Sequence, residues 1–360
     1  MNISLVTGGT GGHIYPALAL AKAILDRNPN HSVFFIGNSD RMEATEIPAA
    51  GYRFFGLPAK GFSGSPIAII KAVLALQKSK KMALELLKRE KPDIVVGFGG
   101  YVCVPVLQAA HKLNIKTMLH EQNSIVGRAN KVLIPIVDAI VCDYESNLSV
   151  FPAQKTRRLG NPRTYMITQS ANAQSIETVY SFNPDHPIVL FVMGSLGSAS
   201  VNALMPKVLT ALDLQGIQAV YVTGKRHYQT FKSTLPELAN IRVVDYIDQL
   251  WAMTQVDLMV CRGGATTAAE LTVLGVPSII IPSPYVPNNH QYHNAKALFD
   301  AQASVFFEEK ALDGETLIQA ITSLLNDPDR LKSMRQAALT LGKPHAASDM
   351  VDWIETLVNV

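Results

Sequence analysis

The stretch Val256–Asn294, VDLMVCRGGATTAAELTVLGVPSIIIPSPYVPNNHQYHN, constrains the fold more than any other part of this 360-residue chain. It reads as strand, glycine turn, helix, strand, loop and helix. The apolar run Leu258 to Val260 is a buried strand, and Arg262-Gly263-Gly264 is the turn after it. Ala265 to Leu274 is a helix that stops at Gly275, with Pro277 just beyond. Ser278 to Ile281 is a second strand, so the whole is one βαβ unit. The small residues Gly264 and Ala265 open the helix and leave its first backbone N–H groups bare. Such an end attracts anions, because unpaired N–H groups and the helix dipole both favour negative charge. Thr266 and Thr267 add hydroxyl donors, and Glu270, one turn further, is placed to accept from a pair of sugar hydroxyls. A phosphate site with a carboxylate one turn away suits a sugar nucleotide, and suits bare phosphate or nucleic acid poorly. Taken alone, the glycines fit an ordinary turn equally well, and Glu270 a solvated helix position.

The run CRGGATTAAELTVLGVPSIIIPSP, followed by HQYHNA, resembles the donor-nucleotide motif of the bacterial peptidoglycan glycosyltransferases that add N-acetylglucosamine to lipid I. More broadly it is similar to the two-domain GT-B glycosyltransferases. The resemblance implies an α/β fold in which two Rossmann-like parallel-sheet domains face each other across a cleft.

Length and composition agree with two domains and large cores, since 48% of the residues are hydrophobic and 17% are charged. No window reaches the roughly 20 apolar residues that a spanning helix needs. The start, MNISLVTGG, runs directly into a strand, so no secretory signal is expected. Cys103, Cys142 and Cys261 lie far apart in apolar contexts, which argues against a disulfide framework or a zinc site. A cytosolic chain is expected. Its charge is uneven: residues 1–160 carry 19 Lys/Arg against 11 Asp/Glu, and residues 57–91 alone carry 8 against 2. That excess favours an anionic partner on one face.

The strand Ile3 to Val6 leads into Gly8-Gly9-Thr10-Gly11-Gly12-His13 and then a helix from about Ile14 to Asp26. A glycine-rich turn of this kind brings backbone N–H groups close to a phosphate. It is not GxGxxG, and no acidic residue ends the next strand, Val33 to Ile36, which weakens a nicotinamide enzyme. His13 is a candidate general base, because imidazole titrates near neutrality; a helix-start role fits a lone histidine as well. The match of GGTGGH to the family's first glycine loop favours the base.

Residues 52–65 lead into a helical segment, Pro66 to Glu90. From Ile67 to Leu76 only Lys71 is polar, so this part is either buried or touches something apolar outside the protein. Lys60, Lys78, Lys80, Lys81, Lys88 and Arg89 around it suit the surface of an anionic bilayer; a core helix with a solvated basic end is the other reading. Ile69, Ile70, Val73 and Leu74 are the candidate apolar contacts.

Ile94 to Val96 is a strand running into a second glycine turn, Gly97-Phe98-Gly99-Gly100-Tyr101. Lys116 to Leu119 is a strand ending in His120-Glu121-Gln122-Asn123, polar residues at a strand end where ligands of α/β sheets bind. GFGGYV and HEQNSIVGRAN are similar to the family's second glycine loop and acceptor-side motif. This similarity makes Glu121 a second base candidate. It also assigns Gly99, Gly100, Tyr101, His120 and Gln122 to the acceptor, and Asn123 to the donor sugar. A capping role fits Asn123 equally well without it. Asp138 to Cys142 is a further strand, and Gly160-Asn161-Pro162-Arg163 is the expected domain boundary.

The second domain opens with the strand Pro187 to Met193 and the turn Gly194-Ser195-Leu196-Gly197-Ser198, where the family often has two glycines and this chain has Met193-Gly194. Strands follow at Ala219 to Val222 and Ile241 to Val244. The lone DxD, Asp327-Pro328-Asp329, lies between two helices and reads as a helix cap. The expected domains are 1–160, binding acceptor and membrane, and 161–345, binding UDP-GlcNAc. A final helix, 346–360, is expected to pack back on the first.

The resemblance covers nearly the whole chain, with its motifs in the family's order. It implies inverting transfer of N-acetylglucosamine from UDP-GlcNAc to the C4 hydroxyl of MurNAc in undecaprenyl-pyrophosphoryl-MurNAc-pentapeptide (lipid I), giving lipid II. The donor contacts it implies are Thr10, Gly11, Gly12, Asn123, Arg163, Ser195, Ile247, Gly264, Ala265, Thr266, Thr267, Glu270 and Gln291. Helix N-termini and Ser195 would stabilise the departing diphosphate without a protein-bound metal or other cofactor. The other expected partners are anionic inner-leaflet phospholipids, with the protein peripheral on the cytoplasmic face of the cell membrane; nucleic acid is not one. Rival readings are another GT-B glycosyltransferase, a UDP-sugar epimerase of related fold, and a nucleotide-sugar binding protein without chemistry.

Overall fold

A computed structural model describes residues 1–61, 65–169, 174–194 and 197–359, apart from the side chains of Pro66, Thr168 and Gln169. They divide into two units, Met1–Met166 with Lys343–Val360, and Ile167–Gly342.

The first unit alternates strand and helix. Its elements are β1 (Asn2–Val6), α1 (Gly11–Arg27), β2 (Ser32–Asn38), α2 (Glu43–Ala49), β3 (Arg53–Leu57), α3 (Pro66–Glu90) and β4 (Ile94–Gly97). There follow α4 (Cys103–Lys112), β5 (Lys116–Glu121), α5 (Arg128–Leu133), β6 (Ala139–Cys142) and β7 (Thr156–Arg157). The sheet order is β3-β2-β1-β4-β5-β6-β7 and every pairing is parallel. Strands covered on both faces read as continuous apolar runs, and successive side chains feed opposite cores. Thus Ile3 and Leu5 of β1 join Ile14, Leu20 and Ile24 of α1. Val6, by contrast, joins Leu86 and Leu87 of α3 and Val106 and Leu107 of α4.

Several boundaries differ from the sequence reading, among them three in the first unit. Residues 53–57 form β3, paired with β2 through Phe35 and Phe54, where only a connection was expected. The run RFFGL is too short to show a period in sequence, and pairing with β2 makes the strand. Gly11 and Gly12 form the first turn of α1 and are not loop. His120 and Glu121 belong to β5, because the ladder with β6 continues through His120–Val141 and Glu121–Cys142.

The second unit begins with α6 (Ile176–Tyr180), β8 (Ile188–Val192), α7 (Ala199–Leu214), β9 (Gln218–Val222), α8 (Tyr228–Lys232), β10 (Ile241–Val244) and α9 (Gln249–Met253). It continues with β11 (Leu258–Cys261), α10 (Ala265–Leu274), β12 (Ser278–Ile280), α11 (His290–Asp300), β13 (Ser304–Phe306), α12 (Gly314–Leu325) and α13 (Pro328–Leu341). The sheet order is β10-β9-β8-β11-β12-β13, again wholly parallel. Gly275 ends α10 at φ 66°, a left-handed conformation that glycine adopts without a Cβ penalty. Asp327 caps α13 by accepting from the Arg330 N–H at 3.0 Å, so the DxD is a cap.

The last helix, α14 (Ala346–Val358), belongs to the first unit. Its Met350, Val351, Trp353 and Ile354 share the core of α1.

Each sheet reverses its order once, between β1 and β4 in the first unit and between β8 and β11 in the second. At such a switch point the connections leave to opposite faces, and a crevice opens beyond the carboxyl ends of the strands. The glycine turns after β1, β4, β8 and β11 fall at these two places.

Candidate active site

In the first unit the turn after β1 carries His13 into the first turn of α1. The His13 Nδ1 lies 2.8 Å from the Gly8 carbonyl oxygen. A carbonyl only accepts, so Nδ1 carries the proton and Nε2 is the basic nitrogen. Thr10 precedes α1 as its N-cap, and its carbonyl takes the His13 and Ile14 N–H groups. The second glycine turn crosses beside this one: a Cβ on Gly99 would lie 2.9 Å from His13 Nε2, and one on Gly100 only 2.6 Å from the Gly8 oxygen. Both have positive φ, 109° and 85°, so only glycine brings the β4 turn this close. Tyr101 is exposed and its ring packs on Gly61.

Glu121 has a different place from the one expected of a base. It is 1% exposed, and both carboxylate oxygens are occupied. Oε1 accepts from the Asn123 N–H and side-chain amide, at 3.0 and 3.3 Å. Oε2 accepts from the Gly127 N–H and Asn130 Nδ2, both at 2.8 Å. Burial raises its pKa, and these donors oppose the rise. The carboxylate therefore holds the loop 122–127. His120 is fully buried, with Nε2 2.9 Å from Asp143 Oδ1. Burial disfavours its charged form, yet the Asp143 carboxylate and the Gly160 carbonyl together hold its pKa above the ordinary value. Gln122 is buried as well. His120 is thus a partner of Asp143, which in turn accepts from Asn161 Nδ2 at 2.9 Å. Arg163 sits with its guanidinium 5.3 Å from the centre of the Tyr15 ring.

In the second unit a cavity of about 760 Å³ opens at the switch point. Gly194, Gly197, Ser198, Gln249, Gly264 and Thr267 are among its lining residues, with Arg262, Ser283, Tyr285 and Gln291. Two helix N-termini reach it: α10, capped by Gly264, and α7, capped by Ser198. Ala265 is buried in the first turn of α10. The Thr266 hydroxyl is buried without a hydrogen-bond partner among the described residues. Gln291 Oε1 accepts from the Ser283 N–H at 2.8 Å. Gly263 admits the Gln291 backbone, whose oxygen would stand 2.3 Å from a Cβ there. Glu270 is 2% exposed and does not line the cavity. Ile247 is buried just before Asp248, the N-cap of α9. Ser195 lies outside the described residues.

Residues 3–142 match the glycosyltransferase family 28 N-terminal domain, and residues 188–350 match its C-terminal domain. The chain is 38% identical to the UDP-N-acetylglucosamine–N-acetylmuramyl-(pentapeptide) pyrophosphoryl-undecaprenol N-acetylglucosamine transferase of Lactiplantibacillus plantarum, over 99% of this chain and all of that one. The enzyme of that name from Halalkalibacterium halodurans is also 38% identical, over 97% of this chain and 98% of its own. The chain belongs to this transferase family. Among solved structures, Acinetobacter baumannii MurG superposes with a TM-score of 0.80 at 26% identity, covering 99% of each chain. UDP-GlcNAc 2-epimerase of Neisseria meningitidis, at 13% identity and a TM-score of 0.70, shares the fold.

Within this transferase family frame, the structure brings His13, Gly99 and Gly100 together in one unit and Gly264, Thr267 and Gln291 together in the other. Three features escaped the sequence reading. Gln249, which lines the cavity, donates to Glu270 at 2.8 Å. Arg262 donates to Ser198 Oγ at 2.6 Å and pairs with Glu309, which accepts from Ser200; this network fixes the start of α7. Glu43, an unremarked residue of RMEAT, is fully buried beneath the first glycine turn. No local pattern marks these polar groups, because their partners lie far away in sequence. On α3, Ile67, Ile69, Ile70, Val73 and Leu74 are exposed, while Ala83, Leu86 and Leu87 are buried. Lys78 and Lys81 are exposed and Lys80 is half-buried. Among the described residues no helix is long and apolar enough to cross a membrane.

Proposed function

We propose that the protein transfers N-acetylglucosamine from UDP-GlcNAc to the C4 hydroxyl of MurNAc in undecaprenyl-pyrophosphoryl-MurNAc-pentapeptide, with inversion, to give lipid II. The observation that carries this reading is full-length 38% identity to transferases of that name. A histidine of fixed tautomer at the first unit's switch point supports it. In this reading His13 Nε2 takes the proton of the acceptor hydroxyl as its oxygen attacks the anomeric carbon. The bond from that carbon to the UDP oxygen breaks, and UDP leaves with the electron pair. The N-termini of α7 and α10, with Thr266, Thr267 and Ser195, take up the charge of the diphosphate, a role we assign to them rather than to a metal. Ile247 reads the uracil, Glu270 the ribose and Gln291 the donor sugar. We assign Thr10, Gly11, Gly12, Asn123 and Arg163 to the donor as well, and Gly99, Gly100, Tyr101, His120 and Gln122 to the acceptor side. Glu121 supports that side by holding its loop.

The acceptor's polyprenyl tail stays in the bilayer, so the protein works as a peripheral enzyme at the cytoplasmic face. The exposed apolar face of α3 and its lysines meet anionic phospholipid there. The test is UDP release from UDP-GlcNAc with and without a lipid I analogue. Release that requires the analogue, with a disaccharide product by mass spectrometry, supports transfer. Conversion of UDP-GlcNAc without acceptor would overturn it in favour of an epimerase.

A further inference from the structure

Glu43 is the first residue of α2 and is fully buried. Its carboxylate takes three N–H donors: Gly9 N–H on Oε2 at 3.1 Å, and the Asn38 N–H and Nδ2 on Oε1 at 2.9 and 2.7 Å. Space for it exists because two neighbours lack side chains. A Cβ on Gly37 would lie 2.7 Å from Glu43 Cγ, and one on Gly8 would lie 3.0 Å from its Oε1 and 2.7 Å from Asn38 Nδ2. A buried carboxylate is expensive to keep, and a group that only held β2 to α2 would not need its second oxygen on the glycine turn.

The Gly9 N–H that Glu43 holds and the Gly8 carbonyl that holds His13 belong to one peptide group. That group is planar and rigid, with its N–H and C=O pointing in opposite directions. Glu43 therefore grips one end of a plate whose other end orients the imidazole. Gly9 is at φ 96° with no atom of the described residues near its missing Cβ, so on the Gly9 side the Glu43 carboxylate is what holds the peptide. An acceptor on the N–H also polarises the carbonyl and strengthens the bond it accepts from Nδ1.

We propose that Glu43 is a positioning residue for the transfer, setting the place of His13 through the Gly8–Gly9 peptide. The inference rests on His13 being the base. Glu43→Gln is nearly isosteric but turns an N–H₂ either toward the Gly9 N–H or toward the two Asn38 donors, and leaves only an uncharged oxygen for the other side, which loosens the grip. Its kcat falls about ten- to a hundred-fold, the scale of an ångström's misplacement of a catalytic group. Its KM for UDP-GlcNAc stays within about two-fold, since in the proposed reading the base acts on the acceptor hydroxyl. The decisive readout is a double-mutant cycle. If Glu43 acts through His13, E43Q slows the parent but leaves the residual rate of His13→Ala unchanged. An equal loss in both backgrounds would mean general loosening of the fold and would overturn the inference, as would a parental rate for E43Q. A parental rate for His13→Ala alone would overturn the base reading itself, and is seen without any change at Glu43. Should E43Q lack the parent's circular dichroism, Glu43→Asp, which keeps the charge and shortens the arm, enters the same cycle with the same expectation.

Discussion

The side-chain amide of Gln249 donates to the carboxylate of Glu270 across 2.8 Å, joining a residue that lines the second unit's cavity to one that does not. The same amide lies 3.4 Å from Thr267 Oγ1, so Gln249 bridges the helix start and its acidic residue. In the proposed reading this carboxylate is already oriented when a ribose arrives, and its hydrogen bonds to that ligand need little reordering. Glu270→Ala is expected to weaken UDP-GlcNAc binding by roughly 1.5–3 kcal/mol, the range for a hydrogen bond to a charged group. Isothermal titration calorimetry on the folded variant measures it. Unchanged affinity would leave Glu270 a purely structural partner of Gln249.

For the base, His13→Ala should lower kcat by about 10²–10⁴, as loss of general-base catalysis does. Donor affinity is expected to stay within about two-fold, because in the proposed reading the proton that His13 removes belongs to the acceptor. Single-turnover rates with a lipid I analogue, beside donor titrations, separate the two quantities. Turnover near the parental rate would remove His13 from the chemistry.

The parts of the fold legible in sequence are those decided locally. The helix Ala265–Leu274 shows its end through Gly275, and the helix Pro66–Glu90 spans the segment expected from sequence. The glycine turns were visible because a strand that bends sharply into a helix needs residues free of a Cβ, as Gly99 and Gly100 demonstrate. What stayed hidden depends on distant partners. Glu43 has no signal in its own segment, because the Gly9 N–H that it holds lies 34 positions away. Glu121 reads as a ligand at a strand end, yet the strand continues through it and Gly127 and Asn130 fold back onto its carboxylate. A polar residue near a glycine turn has the same local sequence whether it meets substrate or holds the turn.

The His120–Asp143 pair makes stability depend on pH. Burial alone would lower the folded-state pKa of His120, but the Asp143 carboxylate 2.9 Å away and the Gly160 carbonyl hold it above the ordinary value of about 6.5. A raised histidine pKa contributes stability that is fully present below the unfolded value and is lost as pH rises through the folded one. His120→Gln keeps an N–H donor for Asp143 but carries no charge. The parent's advantage over this variant in urea midpoint should be larger near about pH 5.5 than near about pH 9. A gap independent of pH would mean that the imidazole stays neutral and the pair is an ordinary hydrogen bond.

The exposed face of α3 is expected to bind an anionic membrane surface. Ile67, Ile70 and Leu74 are 66%, 60% and 64% exposed, and Ile69 and Val73 are 43% and 42% exposed. A cluster of aliphatic side chains on the water-facing side of one helix has no compensation in the folded protein; within that stretch Ala72 is buried, and the larger buried residues of α3, Leu86 and Leu87, come further along. Residues 57–91 surround that face with 8 Lys/Arg and only 2 Asp/Glu. Each basic residue near an anionic leaflet adds about 1 kcal/mol, and several together hold a protein there reversibly. Insertion of Ile69, Ile70, Val73 and Leu74 adds a part that salt does not screen. Binding to vesicles of mixed phosphatidylglycerol and phosphatidylcholine should therefore weaken with salt without vanishing. Replacing Lys78, Lys80 and Lys81 by Glu reverses the local charge and leaves the second unit untouched. The variant should stay in the supernatant when vesicles are pelleted, with UDP-GlcNAc affinity equal to the parent's. Sedimentation of the triple variant at the parental level would make the lysines a solvated face and move the membrane contact elsewhere on the protein.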